Sequence, residues 1–161
     1  MTIAVGEKLP EATFLAPSDD GPTRIAGADF FAGKKVVLFG LPGAFTPTCD
    51  GNHLPGFLSR HDEIIAKGVD RIAVVSVNDV FVMKAWEAAS GAKGKIVFLA
   101  DGNATFAKAI GLDADMSVAG FGTRMRRFSM IVEDGTVTSL NLEVERGKAE
   151  ISGAETILSQ L

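Results

Sequence analysis

The one cysteine of this chain, Cys49, ends the segment Pro42-Gly43-Ala44-Phe45-Thr46-Pro47-Thr48-Cys49. The run before it, Lys35-Val36-Val37-Leu38-Phe39, is apolar and rich in β-branched residues, and the stretch after it has helical character. A strand that ends in a Pro/Gly turn and then opens a helix sets the thiol among backbone N–H groups with no intrahelical acceptor. Those donors and the positive end of the helix dipole favour an anion, and the thiolate is the nucleophilic form of cysteine. Without the turn residues, Cys49 would read as a small buried apolar side chain. With them, it reads as a nucleophile.

The neighbours of Cys49 supply further chemistry. Thr46 fits an N-cap and Pro47 the first helical position, which places Cys49 in the first turn. The Thr46 hydroxyl then lies near the thiol and can donate to, or accept from, a small polar substrate. Pro42 has no N–H and a compact ring, so it can screen the thiolate from bulk water. His53 stands four residues on, one turn along the same face. A Cys–His nucleophile pair is one reading of that spacing. A packing or supporting role is the favoured one, because a hydrolase also needs an oxyanion hole and a third group. Pro55 should kink or divide the helix. Asp50 opposes a thiolate next door, so a compensating cation is needed. Arg124, in the basic cluster Arg124, Arg126 and Arg127, is the candidate.

The elements that must position these residues follow from periodicity. Lys35–Gly40, Arg71–Val77 and Lys95–Ala100 are short apolar runs of the buried-strand type. Helical spacing predicts helices over Pro55–Lys67 ending at Gly68, Asp79–Ala89 ending at Gly91, and Asn103–Ile110 ending at Gly111. Asn78 or Asp79 and Asn103 are candidate N-caps. Asp134-Gly135 signals a hairpin between Arg127–Glu133 and Thr136–Val144, and Gly153–Leu161 closes as a helix. This order implies an α/β fold, a mixed central sheet with helices on both faces. A thioredoxin-like sandwich suits it, with a flavodoxin-like arrangement as the competitor.

Length and composition bound the function. The chain of 161 residues reads as one domain over its whole length, and 47% hydrophobic with 22% charged residues is the profile of a soluble globular protein. A net charge of −4 argues against nucleic acid as a partner. No apolar stretch is long enough to cross a membrane, no secretory signal opens the chain, and one cysteine cannot form an internal disulfide. The cytoplasm is the expected compartment. One cysteine and two histidines form no zinc set, and neither Gly120-Phe121-Gly122 nor Gly91-Ala92-Lys93-Gly94-Lys95 completes a nucleotide-binding motif. No metal or cofactor is expected.

Taken together, these residues resemble the peroxiredoxins, specifically the type II, peroxiredoxin-5-like subfamily of the thioredoxin-like proteins. The resemblance is carried by Pro42 through Cys49, by His53-Leu54-Pro55-Gly56-Phe57, by Ser76-Val77-Asn78-Asp79 with Phe81 to Trp86, and by Gly122 through Phe128. It implies a thiol peroxidase that reduces hydrogen peroxide and organic hydroperoxides through a sulfenic acid at Cys49. Thr46 and Arg124 would position the peroxide, and Pro42 would shield the site. It also implies a homodimer with the loops around the active site at the contact. Where relatives carry a resolving cysteine this chain has Val74 and Ile151, so an external thiol, glutathione or a glutaredoxin, would return Cys49 to its reduced form. A non-catalytic thioredoxin-fold binding or chaperone protein is the alternative, and a Cys–His hydrolase a weaker one.

Overall fold

The computed structural model describes residues 1–145 and 147–161. The chain opens with β1 (Thr13–Ala16), β2 (Thr23–Ala26), α1 (Gly27–Phe31) and β3 (Lys35–Leu41). A π turn over Cys49–His53 runs straight into α2 (Leu54–Ser59), followed by α3 (His61–Ala66) and β4 (Arg71–Ser76). Next come α4 (Val80–Ser90), β5 (Val97–Ala100), α5 (Thr105–Ala109) and the short strands β6 (Asp113–Asp115) and β7 (Thr123–Met125). The hairpin of β8 (Phe128–Glu133) and β9 (Thr136–Leu142) precedes the closing α6 (Ala154–Gln160).

Seven strands form one sheet in the order β2-β1-β5-β4-β3-β8-β9, while β6 and β7 pair apart from it. The parallel centre, β3, β4 and β5, is flanked by antiparallel partners: β8 on β3 and β1 on β5. Those antiparallel flanks decide for the thioredoxin-like arrangement over the flavodoxin-like competitor. Because side chains alternate along a strand, β3 feeds two cores at once. Val37, Phe39 and Leu41 pack with Leu54, Phe57, Ile64, Met83, Trp86 and Ile157. Val36 and Leu38 face the opposite way, onto Phe30, Phe31 and Phe106. A sheet buried on both faces needs continuous apolar runs rather than alternating ones, which is why its central strands stood out in the sequence.

Several expected boundaries move. The helix expected over 55–67 divides at Arg60, whose backbone leaves the helical region at φ −104° and ψ 11°. Ser59 Oγ donates to the Gly56 carbonyl there, a local bond that competes with the helical ladder. Helix α5 starts at Thr105 rather than Asn103, because Ala104 is left-handed and the Asp101 carboxylate accepts from Phe106 N and Ala107 N. Asp79 does cap α4, accepting from Phe81 N and Val82 N, and Gly91 ends it at φ 71°. The helix that opens at Cys49 changes character at Pro55: the turn before it is widened, with Leu54 N donating five residues back to the Cys49 carbonyl, and Pro55 falls in the first turn of α2. A π turn of this kind accommodates a ring that lacks an N–H to give.

Candidate active site

Cys49 sits where β3 has delivered the chain to the start of that widened helix. Helical geometry begins at Pro47, and Asp50 N donates to the Thr46 carbonyl at 2.8 Å. Among the described residues nothing accepts from the Cys49 N–H. The Thr46 hydroxyl does not cap the helix; it turns back and donates to the Gly43 carbonyl at 2.7 Å. Its lone pairs therefore remain free to accept from a hydroxyl donor. The loop is clipped from the far side by Asn78, whose Oδ1 accepts from Ala44 N at 2.9 Å and Ser76 Oγ at 2.6 Å. A groove of about 560 Å³ lies over this loop, lined by Pro42, Thr46, Pro47, Met116, Phe121 and Arg127 among others.

The cation on the sulfur is Arg127. Its Nη2 donates to Cys49 Sγ at 3.2 Å, and its Nη1 donates to His53 Nδ1 at 3.0 Å. All three side chains are buried: Cys49 0% exposed, His53 1% and Arg127 8%. The His53 ring packs at a tilt against the stacked rings of Phe39 and Phe57 and gives its Nε2–H to the Ser152 carbonyl at 2.9 Å. Burial pushes His53 down to about 3, and the neighbouring Arg127 charge pushes the same way against the Ser152 bond. The ring is neutral at pH 7, protonated on Nε2 only, with its Nδ1 lone pair turned to the guanidinium. A ring so engaged cannot take a proton from Sγ, which removes the Cys–His hydrolase reading.

Arg124, the cation expected beside Cys49, sits elsewhere. Its Nη1 donates to the Pro42 carbonyl at 3.2 Å and its Nε to the Phe121 carbonyl at 3.0 Å, with the guanidinium over the Phe121 ring. A Cβ on Gly43 would lie 2.5 Å from Arg124 Nη1, so this glycine leaves Arg124 room to brace the loop. The reason for the difference is strand register. Phe128 pairs with Gly40 on β3, so the residue before it, Arg127, emerges beside the end of β3 and the Pro42 turn. Arg124 belongs to the separate β6–β7 pair. The Asp50 carboxylate is exposed and accepts from Trp86 Nε1 at 2.8 Å.

Comparison with known proteins bears on this arrangement directly. The Redoxin family profile matches residues 4–158. Peroxiredoxin-2C of Oryza sativa subsp. japonica is 48% identical over 99% of this chain and 98% of its own length. The chain belongs to the type II peroxiredoxins. Peroxiredoxin-2B of Arabidopsis thaliana is 42% identical over 99% of this chain and 98% of its own. The crystal structure of reduced Prx3 from Vibrio vulnificus in complex with hydrogen peroxide superposes with a TM-score of 0.94 at 50% identity, covering 99% of both chains. This peroxiredoxin is a thiol peroxidase with a single buried peroxidatic cysteine, Cys49, in an arginine-containing site.

Two outcomes follow for the peroxiredoxin. Arg127→Ala should slow oxidation of Cys49 by peroxide roughly a hundredfold or more, the usual consequence of deleting a donor aimed at developing charge. Arg124→Ala should slow it less than about tenfold. Stopped-flow rates on both variants decide the ranking, and equal losses would contradict it. The second outcome concerns acid. A histidine near 3 in the folded protein and 6.5 when unfolded is protonated only in the unfolded chain between those values. Stability therefore falls as pH drops through that window, by about 2 to 3 kcal/mol between pH 7 and 4.5. Urea melts should show this loss, and His53→Gln should remove that part of it.

Proposed function

We propose that this peroxiredoxin reduces hydrogen peroxide and organic hydroperoxides in a one-cysteine cycle, with glutathione or a glutaredoxin returning the thiol. The observation that carries the reading is the Arg127 guanidinium donating to the one thiol of the chain. That donor is aimed at the sulfur, and the nucleophilic form of a cysteine is its thiolate. The Cys49 thiolate attacks one peroxide oxygen in line, the O–O bond breaks, and the departing oxygen leaves as water or alcohol after taking a proton. The peroxide is reduced, and the sulfur becomes a sulfenic acid.

The surrounding groups suit that step. In this reading the Thr46 hydroxyl, held by Gly43, accepts a hydrogen bond from the peroxide O–H and orients the substrate. The Cys49 N–H and Arg127 donate to the oxygens as charge shifts between them. Pro42 closes one wall of the groove and offers no donor of its own. Arg124 contributes by bracing the Pro42 turn, and His53 by holding Arg127. No metal or organic cofactor enters the cycle.

Resolution must come from outside the subunit. Val74 is buried in β4 and Ile151 lies on the surface, neither able to form a disulfide. Attack of a first thiol on the sulfenic acid forms a mixed disulfide and expels water. Exchange with a second thiol then frees Cys49 and carries away the disulfide. Such a cycle suits a reducing compartment, the cytoplasm. Exposed apolar side chains on Phe45, 48% exposed, and on Val118 and Val144 supply a contact for a second copy of the chain beside the site. Intact-mass measurement tests the cycle. One equivalent of peroxide should add a single oxygen, and glutathione should then replace it with a glutathione adduct. A dominant disulfide-linked dimer through Cys49, or turnover with a dithiol protein such as thioredoxin but none with glutathione and glutaredoxin, would contradict it.

A further inference from the structure

One buried carboxylate has no part in the cycle above. Glu143 follows β9 and is 8% exposed, and its main-chain N–H donates to the Arg127 carbonyl at 3.1 Å. Among the described residues its side chain pairs with no cation. Oε2 accepts from Ser152 N at 2.9 Å and Ser152 Oγ at 2.8 Å, and Oε1 accepts from Ile151 N at 3.4 Å. Burial alone would raise this carboxyl, but the Ser152 and Ile151 donors outweigh it and hold it below its usual range. A buried anion committed to one short loop costs free energy unless those bonds are made. Ser152 is itself fully buried, and its carbonyl is the acceptor of the His53 Nε2–H.

We infer that Glu143 is a positioning residue for the peroxidatic site, setting the Cys49–Arg127 contact through Ser152 and His53. Each link has one chemical sense. The carboxylate only accepts, so it fixes the Ser152 N–H and hydroxyl and with them the direction of the Ser152 carbonyl. That carbonyl only accepts, so it selects the His53 tautomer with the proton on Nε2. The bare Nδ1 must then accept, and it takes Arg127 Nη1, which leaves Nη2 aimed at Sγ. Were the Ser152 carbonyl displaced, the opposite tautomer would set an N–H against the guanidinium and push it off the sulfur. The anchor and the nucleophile are 94 positions apart in the chain, brought together because β8 and β9 pair end to end. This inference rests on the peroxidase reading for its rate readout.

Three variants test it. Glu143→Gln keeps one oxygen for Ser152 and should leave Cys49 oxidation within about threefold of wild type. Glu143→Leu, of similar volume and without an acceptor, should slow it about 10- to 100-fold, as misplacement of a reacting group does. Glu143→Asp keeps the charge but withdraws it from Ser152, should also slow the reaction, and decides the matter if Glu143→Leu fails to fold. The ring nitrogens of His53 give a readout that general destabilisation would not move. Nitrogen-15 shifts should report a single Nε2–H tautomer in wild type and Glu143→Gln, and a tautomer mixture in the other two. Unchanged shifts and rates in Glu143→Leu or Glu143→Asp would overturn the inference, as would a Glu143→Gln variant as slow as Glu143→Leu. A wild type that peroxide does not oxidise at Cys49 would end the peroxidase reading instead, and the tautomer comparison, which needs no turnover, would still decide this one.

Discussion

The Arg127 guanidinium holds two groups at once, the Cys49 sulfur through Nη2 and the His53 ring through Nη1. Its planar fork fixes the angle between those two bonds, so the sulfur cannot shift without disturbing the histidine. Because all three side chains are buried, water competes little for either bond, and the charge acts on the thiol in a medium of low polarisability. Preorganisation is the point. In the proposed cycle, a donor already in place needs no reorganisation when charge moves from sulfur to oxygen, the kind of effect that usually supplies the largest share of an enzyme's rate enhancement.

The fold is arranged to bring this fork to the helix start. Pairing of Phe128 with Gly40 brings Arg127 to the end of β3, where the chain turns at Pro42 toward Cys49. Gly40 permits the approach, since a Cβ there would lie 2.2 Å from the Phe128 ring. The widened turn at Cys49–His53 sets the spacing between thiol and imidazole, and Phe39 and Phe57 hold the ring in place. Arg124 serves the same loop from outside by tying Pro42 to Phe121. Two arginines three positions apart thus perform separate tasks, one on the sulfur and one on the turn.

Much of this was legible in the sequence, and the parts that were not have identifiable causes. The central strands, the Cys49 turn, the Asp79 cap and the Asp134-Gly135 hairpin all rest on local patterns: apolar runs, a capping side chain, a two-residue turn. The choice of Arg127 over Arg124 rests on which strand pairs with β3, and no local pattern carries strand pairing. Strands β1, β2, β6 and β7 have only three or four residues each, too few for alternation to register. The Glu143 anchor was hidden for a more local reason. Its partners lie eight and nine residues along the chain, in a loop with no periodicity. The spacing of His53 from Cys49 puts it near the thiol, but its bond to Arg127 Nη1 depends on the same strand pairing and is visible only in the structure.

In the proposed cycle the geometry of the Arg127 fork, and not its charge alone, readies Cys49. Substituting Arg127→Lys separates the two, because an ammonium supplies a point charge but cannot hold His53 and Sγ in one rigid plane. The measurement is the second-order rate of Cys49 oxidation by hydrogen peroxide at neutral pH, followed by the fluorescence of Trp86, which is bonded to Asp50 beside the thiol. The lysine variant should lose most of the rate, at least about tenfold. A lysine variant as fast as wild type would show that charge alone suffices and that the fork geometry has no part in the rate.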